Sequence, residues 1–110
     1  VSFFDLSADF RLKDPVVFEQ WYKTPHTAVD LLEQAFFGLP EITEAELLEA
    51  RDLHAHHHPT LVACAGCYPT ATSLAAWPAV ALSEGVVVVD AISGVTGAGR
   101  SANAFLQREL

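Results

Sequence analysis

Basic residues are scarce in this chain: six lysines and arginines stand against fourteen aspartates and glutamates, for a formal charge of −8. A nucleic-acid partner needs clustered cations to meet its phosphates, so this balance argues against one. Long hydrophobic runs are missing too. A membrane span needs roughly 20 apolar residues, and the longest candidate here, Val86 to Val89, is only strand-sized, which argues against a membrane partner. There is no basic segment leading into an apolar stretch, the mark of a secretory signal. Cysteine is reduced to Cys64 and Cys67, too few for a disulfide scaffold. With no signal in view, the two thiols point to a reducing, cytoplasmic setting and are to be read chemically. No G-x-G-x-x-G is present, because Gly94, Gly97 and Gly99 have other spacing. Internal repeats and low-complexity tracts are also lacking.

Apolar residues, by contrast, are plentiful. They make up 51% of the 110 residues, enough for one compact core or part of a larger one. The first residues already read as a strand, and Ser101 to Leu110 reads as a helix without a stop signal. The chain is therefore expected to be an interior segment of a longer protein.

Along the chain, Val1 to Leu6 predicts a strand. Asp14-Pro15 predicts a helix start, with an acid at the N-cap and proline at the first helical position, running to about Tyr22. Val29, Leu32, Ala35 and Phe36 fall at helical spacing, so Thr27 to Phe36 predicts a second helix closed by Gly38-Leu39-Pro40. Thr43 and Glu46 form a capping box that opens a helix to about Leu53. Thr60 to Ala65 predicts a buried strand broken by Gly66. Cys67 to Ala76 predicts a helix with Pro69 harmless in its first turn, and Pro78 kinks it or splits off a second short helix. The valine run Val86 to Ala91 predicts a strand covered on both faces, and Ser93 to Gly99 a glycine-rich loop. Alternating strands and helices indicate α/β architecture.

Cys67 stands out by its position at the strand-to-helix turn. A helix start has unpaired N–H groups and the positive end of the macrodipole. Both favour a thiolate, the nucleophilic form, and the same N–H groups can hold an oxyanion. The bland reading is a small buried hydrophobe, and placement leaves both open. Cys64-Ala65-Gly66-Cys67 is also a C-x-x-C, which suggests a thiol-disulfide redox pair. Against that, Cys64 lies inside an apolar strand, and the motif falls past the middle of the chain.

Four segments carry a resemblance. Leu61 to Ala71, with its Gly66-Cys67-Tyr68-Pro69-Thr70 core, resembles the active-site segment of the N-acetyl-γ-glutamyl-phosphate reductase family. Asp5-Leu6-Ser7-Ala8-Asp9-Phe10-Arg11 resembles that family's upstream Asp-Leu-Ser-x-x-Phe-Arg loop. Phe37-Gly38-Leu39-Pro40-Glu41 resembles its Tyr-Gly-Leu-Pro-Glu. Ser93-Gly94-Val95-Thr96-Gly97-Ala98-Gly99-Arg100 resembles its downstream Ser-Gly-Val-Ser/Thr-Gly-Ala-Gly-Arg loop. Ala65 departs from the family, which usually has proline there.

The resemblance implies a fold and a reaction. Residues 1–66 would be the C-terminal part of an NADP-binding Rossmann-like domain. Residues 67–110 would begin a catalytic domain like that of glyceraldehyde-phosphate dehydrogenase. Cys67 would be the nucleophile that forms a thioester from N-acetylglutamyl 5-phosphate, releasing phosphate. NADPH would then reduce the thioester to the semialdehyde, a step of arginine biosynthesis. Ser93 and Gly94 would approach the nicotinamide, with a plain turn as the alternative. Arg11, Arg100 and Tyr68 would be substrate-binding. Arginine pairs bidentately with phosphate or carboxylate, the alternative being an exposed salt bridge, and for Tyr68 the alternative is helix packing. The family's general base, in a His-Arg-His region, and its pyrophosphate loop would both lie outside this chain. The family also tends to form homo-oligomers.

His54, His56, His57 and His58 lie in a turn before Pro59 without the spacing or rigid frame of a zinc site, so no metal is expected. Glu41, Glu44, Glu46, Glu49 and Asp52 read as a solvated helix face.

Overall fold

The structure is a computed structural model that describes residues 1–94. The expected loop beyond Gly94, Arg100 and the expected C-terminal helix lie outside the described residues. The chain divides into two compact units, Val1–Gly66 and Cys67–Leu110.

The first unit is built on a three-stranded parallel sheet in the order β1-β3-β2. Its strands are β1 (Ser2–Asp5), β2 (Ala35–Gly38) and β3 (Thr60–Cys64). Both outer strands pair with β3, Ser2 to Asp5 against Thr60 to Ala63 and Ala35 to Gly38 against Leu61 to Cys64. The central strand is therefore the best covered, with Thr60, Val62 and Ala63 buried. α/β architecture with a parallel sheet is what the alternation of elements leads one to expect.

Helices make the crossovers. α1 (Pro15–Tyr22) starts as expected: the Asp14 carboxylate accepts from the amides of Val16 at 2.8 Å and Val17 at 3.4 Å, and Pro15 occupies the first turn. It buries Phe18, whose ring packs on Tyr22 and edge-on against His26, each with centroids 4.7 Å apart. α2 (Val29–Leu32) is a single turn, and α3 (Pro40–Ala55) leads into β3. Lys13 Nζ donates to the carbonyls of Glu33, at 3.2 Å, and Ala35, tying the loop before α1 to the entry of β2.

Three expectations are corrected. Thr27 to Phe36 is not one helix: the helix stops at Leu32, and Ala35 to Gly38 is β2. Helical spacing of four apolar residues is also compatible with a short turn followed by a strand, and here pairing with β3 decides. The capping box is not made as expected, because α3 already begins at Pro40 and bends at Thr43 (φ −111°, ψ 32°). The Thr43 hydroxyl turns back to donate to Phe37 O at 2.6 Å and accept from Leu39 N at 3.3 Å, stitching the exit of β2. Finally, Val86 to Ala91 forms no strand among the described residues, and Val86 and Val88 are 92% and 87% exposed. The run has strand composition, but a strand also needs a partner for its backbone groups.

The second unit contains α4 (Cys67–Ala76) and a 3-10 segment, Trp77–Leu82, divided near Pro78 as expected.

Gly38 sits where β2 comes closest to β3. A Cβ there would lie 2.8 Å from Val62 Cγ1 and 3.3 Å from Ala63 O. Gly38→Ala is expected to cost about 1–3 kcal/mol by overpacking, read as a lower urea midpoint; an unchanged midpoint would show that the sheet yields at this point.

Candidate active site

β3 ends at Cys64, and three residues later Cys67 opens α4. The break has a local cause. Gly66 ends the strand pattern, and Pro69, third in the helix, needs no N–H partner there. Within that first turn the amides of Cys67 and Tyr68 have no helical acceptor, and Pro69 contributes none. Cys67 is exposed and its thiol is free; Cys64 is half-buried and also free.

Cys67, Ala71 and Ala75 follow one another at four-residue spacing and so share a helix face. With Tyr68 and Thr72 they line a groove of about 410 Å³, completed by Val89 to Ser93. That volume lies within the roughly 300–1,000 Å³ of small-molecule sites. The groove is largely apolar in lining and carries a thiol, two hydroxyls (Thr72 and Ser93), the Tyr68 phenol and the Asp90 carboxylate. Such a lining offers one accessible thiol beside an apolar surface with a few hydrogen-bonding groups.

The structure thus brings three of the sequence-derived site residues, Cys67, Tyr68 and Ser93, into one groove, with Gly94 directly following. Arg11 belongs to the first unit, where its guanidinium donates from Nε to Cys64 O at 2.7 Å and from Nη2 to Leu6 O at 2.9 Å. Arg100 lies outside the described residues. Thr72 and Asp90 were not singled out in the sequence. Thr72 sits one residue past the helix face of Cys67, a spacing that could have marked it. Asp90 has no local signal, since only the return of residues 89–93 past α4 brings it in.

The histidine run has structural partners. His54 Nδ1 bonds the Ser2 hydroxyl at 2.9 Å, and Ser2 in turn bonds the buried Thr60 hydroxyl at 2.8 Å. His56 Nδ1 donates to Asp52 O at 2.7 Å, closing the end of α3. Among the described residues no three His, Cys, Asp or Glu side chains converge as a metal site. No described helix is long and apolar enough to cross a membrane.

Comparison with known proteins gives first a class. Residues 67–109, the stretch that begins at Cys67, match the family described as semialdehyde dehydrogenase, dimerisation domain. It then gives particular relatives. The chain is 46% identical over 101 residues to N-acetyl-gamma-glutamyl-phosphate reductase of Nitrosococcus oceani, covering 89% of this chain and 27% of the relative. To the enzymes of that name from Desulforudis audaxviator and Symbiobacterium thermophilum it is 50% identical over 99 residues and 48% over 103. These cover 87% and 90% of this chain and 26% and 27% of the relatives. The resemblance carried by the four motifs therefore holds across most of the chain, and the chain spans about a quarter of the length of the curated relatives it matches.

Exposure separates the two thiols. Iodoacetamide should alkylate Cys67 before Cys64; peptide mass spectrometry showing equal labelling of the folded chain would contradict this arrangement.

Proposed function

We propose that this chain supplies the catalytic-cysteine segment of an NADP-dependent N-acetyl-γ-glutamyl-phosphate reductase, acting in arginine biosynthesis in the cytoplasm. The observation that carries the reading is an exposed Cys67 at the first position of a helix, in a groove shared with Ser93. The names of the relatives support the substrate class.

In this reading Cys67 Sγ, as thiolate, attacks the acyl carbon of N-acetylglutamyl 5-phosphate. The S–C bond forms, the C–O bond to phosphate breaks, and phosphate leaves with its electron pair. Thiolate suits both halves of the reaction, as a strong nucleophile and a good leaving group. The unpaired first-turn amides are the donors available to an oxyanion on the same carbon. NADPH, when bound, supplies the hydride that converts the thioester to the semialdehyde and returns Cys67 as thiolate. Ser93 and Gly94 would hold its nicotinamide end; the groove's volume and its mix of apolar surface and hydroxyls fit a flat amide-bearing ring. Tyr68 is proposed to orient substrate within the groove, and Arg100 and Arg11 are proposed as anion-binding residues. Residues 1–66 are assigned to a Rossmann-like cofactor domain and 67–110 to the catalytic domain, and the match to a dimerisation domain supports a homo-oligomer.

Cys67→Ser in the reductase-length protein should lower turnover by several orders of magnitude, up to about 10⁶-fold, as loss of a covalent nucleophile does. Cys64→Ala should leave turnover near wild type. Unchanged turnover in the first variant sinks the assignment, and loss of turnover with disulfide-exchange activity in the second favours the C-x-x-C redox reading. The 110-residue chain alone should show no turnover in a coupled NADP assay, because the family's general base and pyrophosphate loop are not among its motifs.

A further inference from the structure

Pairing between β1 and β3 runs from Ser2 and Thr60 to Asp5 and Ala63, and stops there. The next rung would join Leu6 to Cys64, where the two strands part. Arg11 occupies that missing rung. Its Nε donates to Cys64 O at 2.7 Å and its Nη2 to Leu6 O at 2.9 Å. Nε–H and the adjacent Nη2–H form one edge of a rigid planar fork. One edge of one side chain thus holds the carbonyls of both strand exits.

The intervening loop is shaped to bring the guanidinium back. Ser7 donates to the Asp5 carboxylate from its amide at 3.0 Å and its hydroxyl at 2.8 Å. Asp9 N donates to Ser7 Oγ at 3.1 Å, and Arg11 N to Ala8 O at 3.4 Å. His26 Nδ1 accepts from Ala28 N at 3.1 Å, so Nε2 carries the proton and donates to Asp9 O at 2.9 Å. The side chains of Asp5, Ser7 and Arg11 and the backbone of Asp9 each contribute a bond that closes this loop or its clamp.

We infer that Arg11 is a positioning residue: it clamps the exits of β1 and β3 and so fixes the short Ala65-Gly66 link that leads to Cys67. The inference departs from the proposed function at Arg11, which that reading assigns to anion binding, and its kinetic arm rests on the assignment of Cys67. Lysine distinguishes the two roles. It keeps the positive charge but lacks the planar fork. An anion partner tolerates Arg11→Lys in part and shows its loss in KM; a clamp fails in Arg11→Lys and Arg11→Ala alike, and shows its loss in kcat.

Two measurements on the reductase-length protein test this. Hydrogen exchange of peptides spanning residues 60–67 should rise about tenfold or more in both variants, since hydrogen bonds to charged donors are lost. Peptides from α1 and α3 should keep their rates. Unchanged exchange at 60–67 in Arg11→Lys, or an equal rise across all peptides, overturns the clamp; should Arg11→Ala fail to fold, Arg11→Lys and Arg11→Gln decide. In kinetics, kcat per alkylation-titrated Cys67 should fall about tenfold or more while KM for the acyl phosphate stays within about threefold. A raised KM with near-wild-type kcat in Arg11→Lys overturns the clamp and returns Arg11 to anion binding. The exchange measurement needs no turnover, so it stands even if the Cys67→Ser result removes the nucleophile assignment.

Discussion

The parallel pairing of β3 with both of its neighbours is the constraint on which the first unit depends. A parallel strand cannot return to its partner through a tight turn, so each connection must be a crossover, and α1, α2 and α3 exist in that role. Parallel strands also end at one common edge. Asp5, Gly38 and Cys64 close the three strands there, so three chain exits crowd together. In open α/β sheets this carboxyl edge is the one beside which ligand crevices form, at points where the strand order reverses. The crowding is managed by particular groups. Gly38 lacks a side chain where β2 approaches Val62, the Thr43 hydroxyl secures the β2 exit, and the Arg11 fork secures the β1 and β3 exits.

What could be read from the sequence divides along the range of the interactions. Asp14-Pro15 was legible as a helix start because its hydrogen bonds reach only two and three residues on. The β3-to-α4 turn was legible for the same reason, since Gly66 and Pro69 act on their own backbone. β2 was hidden. Ala35 and Phe36 satisfy both a helical and an extended pattern, and only their register with Leu61 and Val62 chooses between them. Thr43 was legible as a hydroxyl that bonds backbone near a helix start, but it was read as the N-cap, whereas it lies inside the helix and its partners are Phe37 and Leu39 before it. The charge of Arg11 was visible; its two carbonyl partners, 5 and 53 residues away, were not.

The valine run shows the limit of composition from the other side. Val86 to Val89 has the β-branched density of a fully buried strand, yet its residues are exposed and unladdered among the described residues. Strand propensity describes how side chains pack on a pleated surface, and that surface must come from somewhere else. The groove beside Cys67 illustrates the same dependence. Cys67 is placed by its own turn, whereas Ser93 and Asp90 reach the groove only through the path of the segment that carries them.

This difference bears on how the two cysteines are to be understood. They are three residues apart in sequence, but different physical rules govern their positions. Cys64 is the last residue of a ladder, its carbonyl is taken by Arg11, and its side chain is half-buried. Cys67 is the first residue of a helix, exposed, with first-turn amides that lack helical acceptors. The backbone of the first is spent on holding the sheet edge, and that of the second is left with donors to offer. A reaction that forms charge on a substrate oxygen needs such donors, and a symmetric exchange between two thiols does not. The asymmetry sets the two thiols apart: the backbone at Cys64 closes a sheet edge, and the helix start at Cys67 keeps amide donors without helical acceptors.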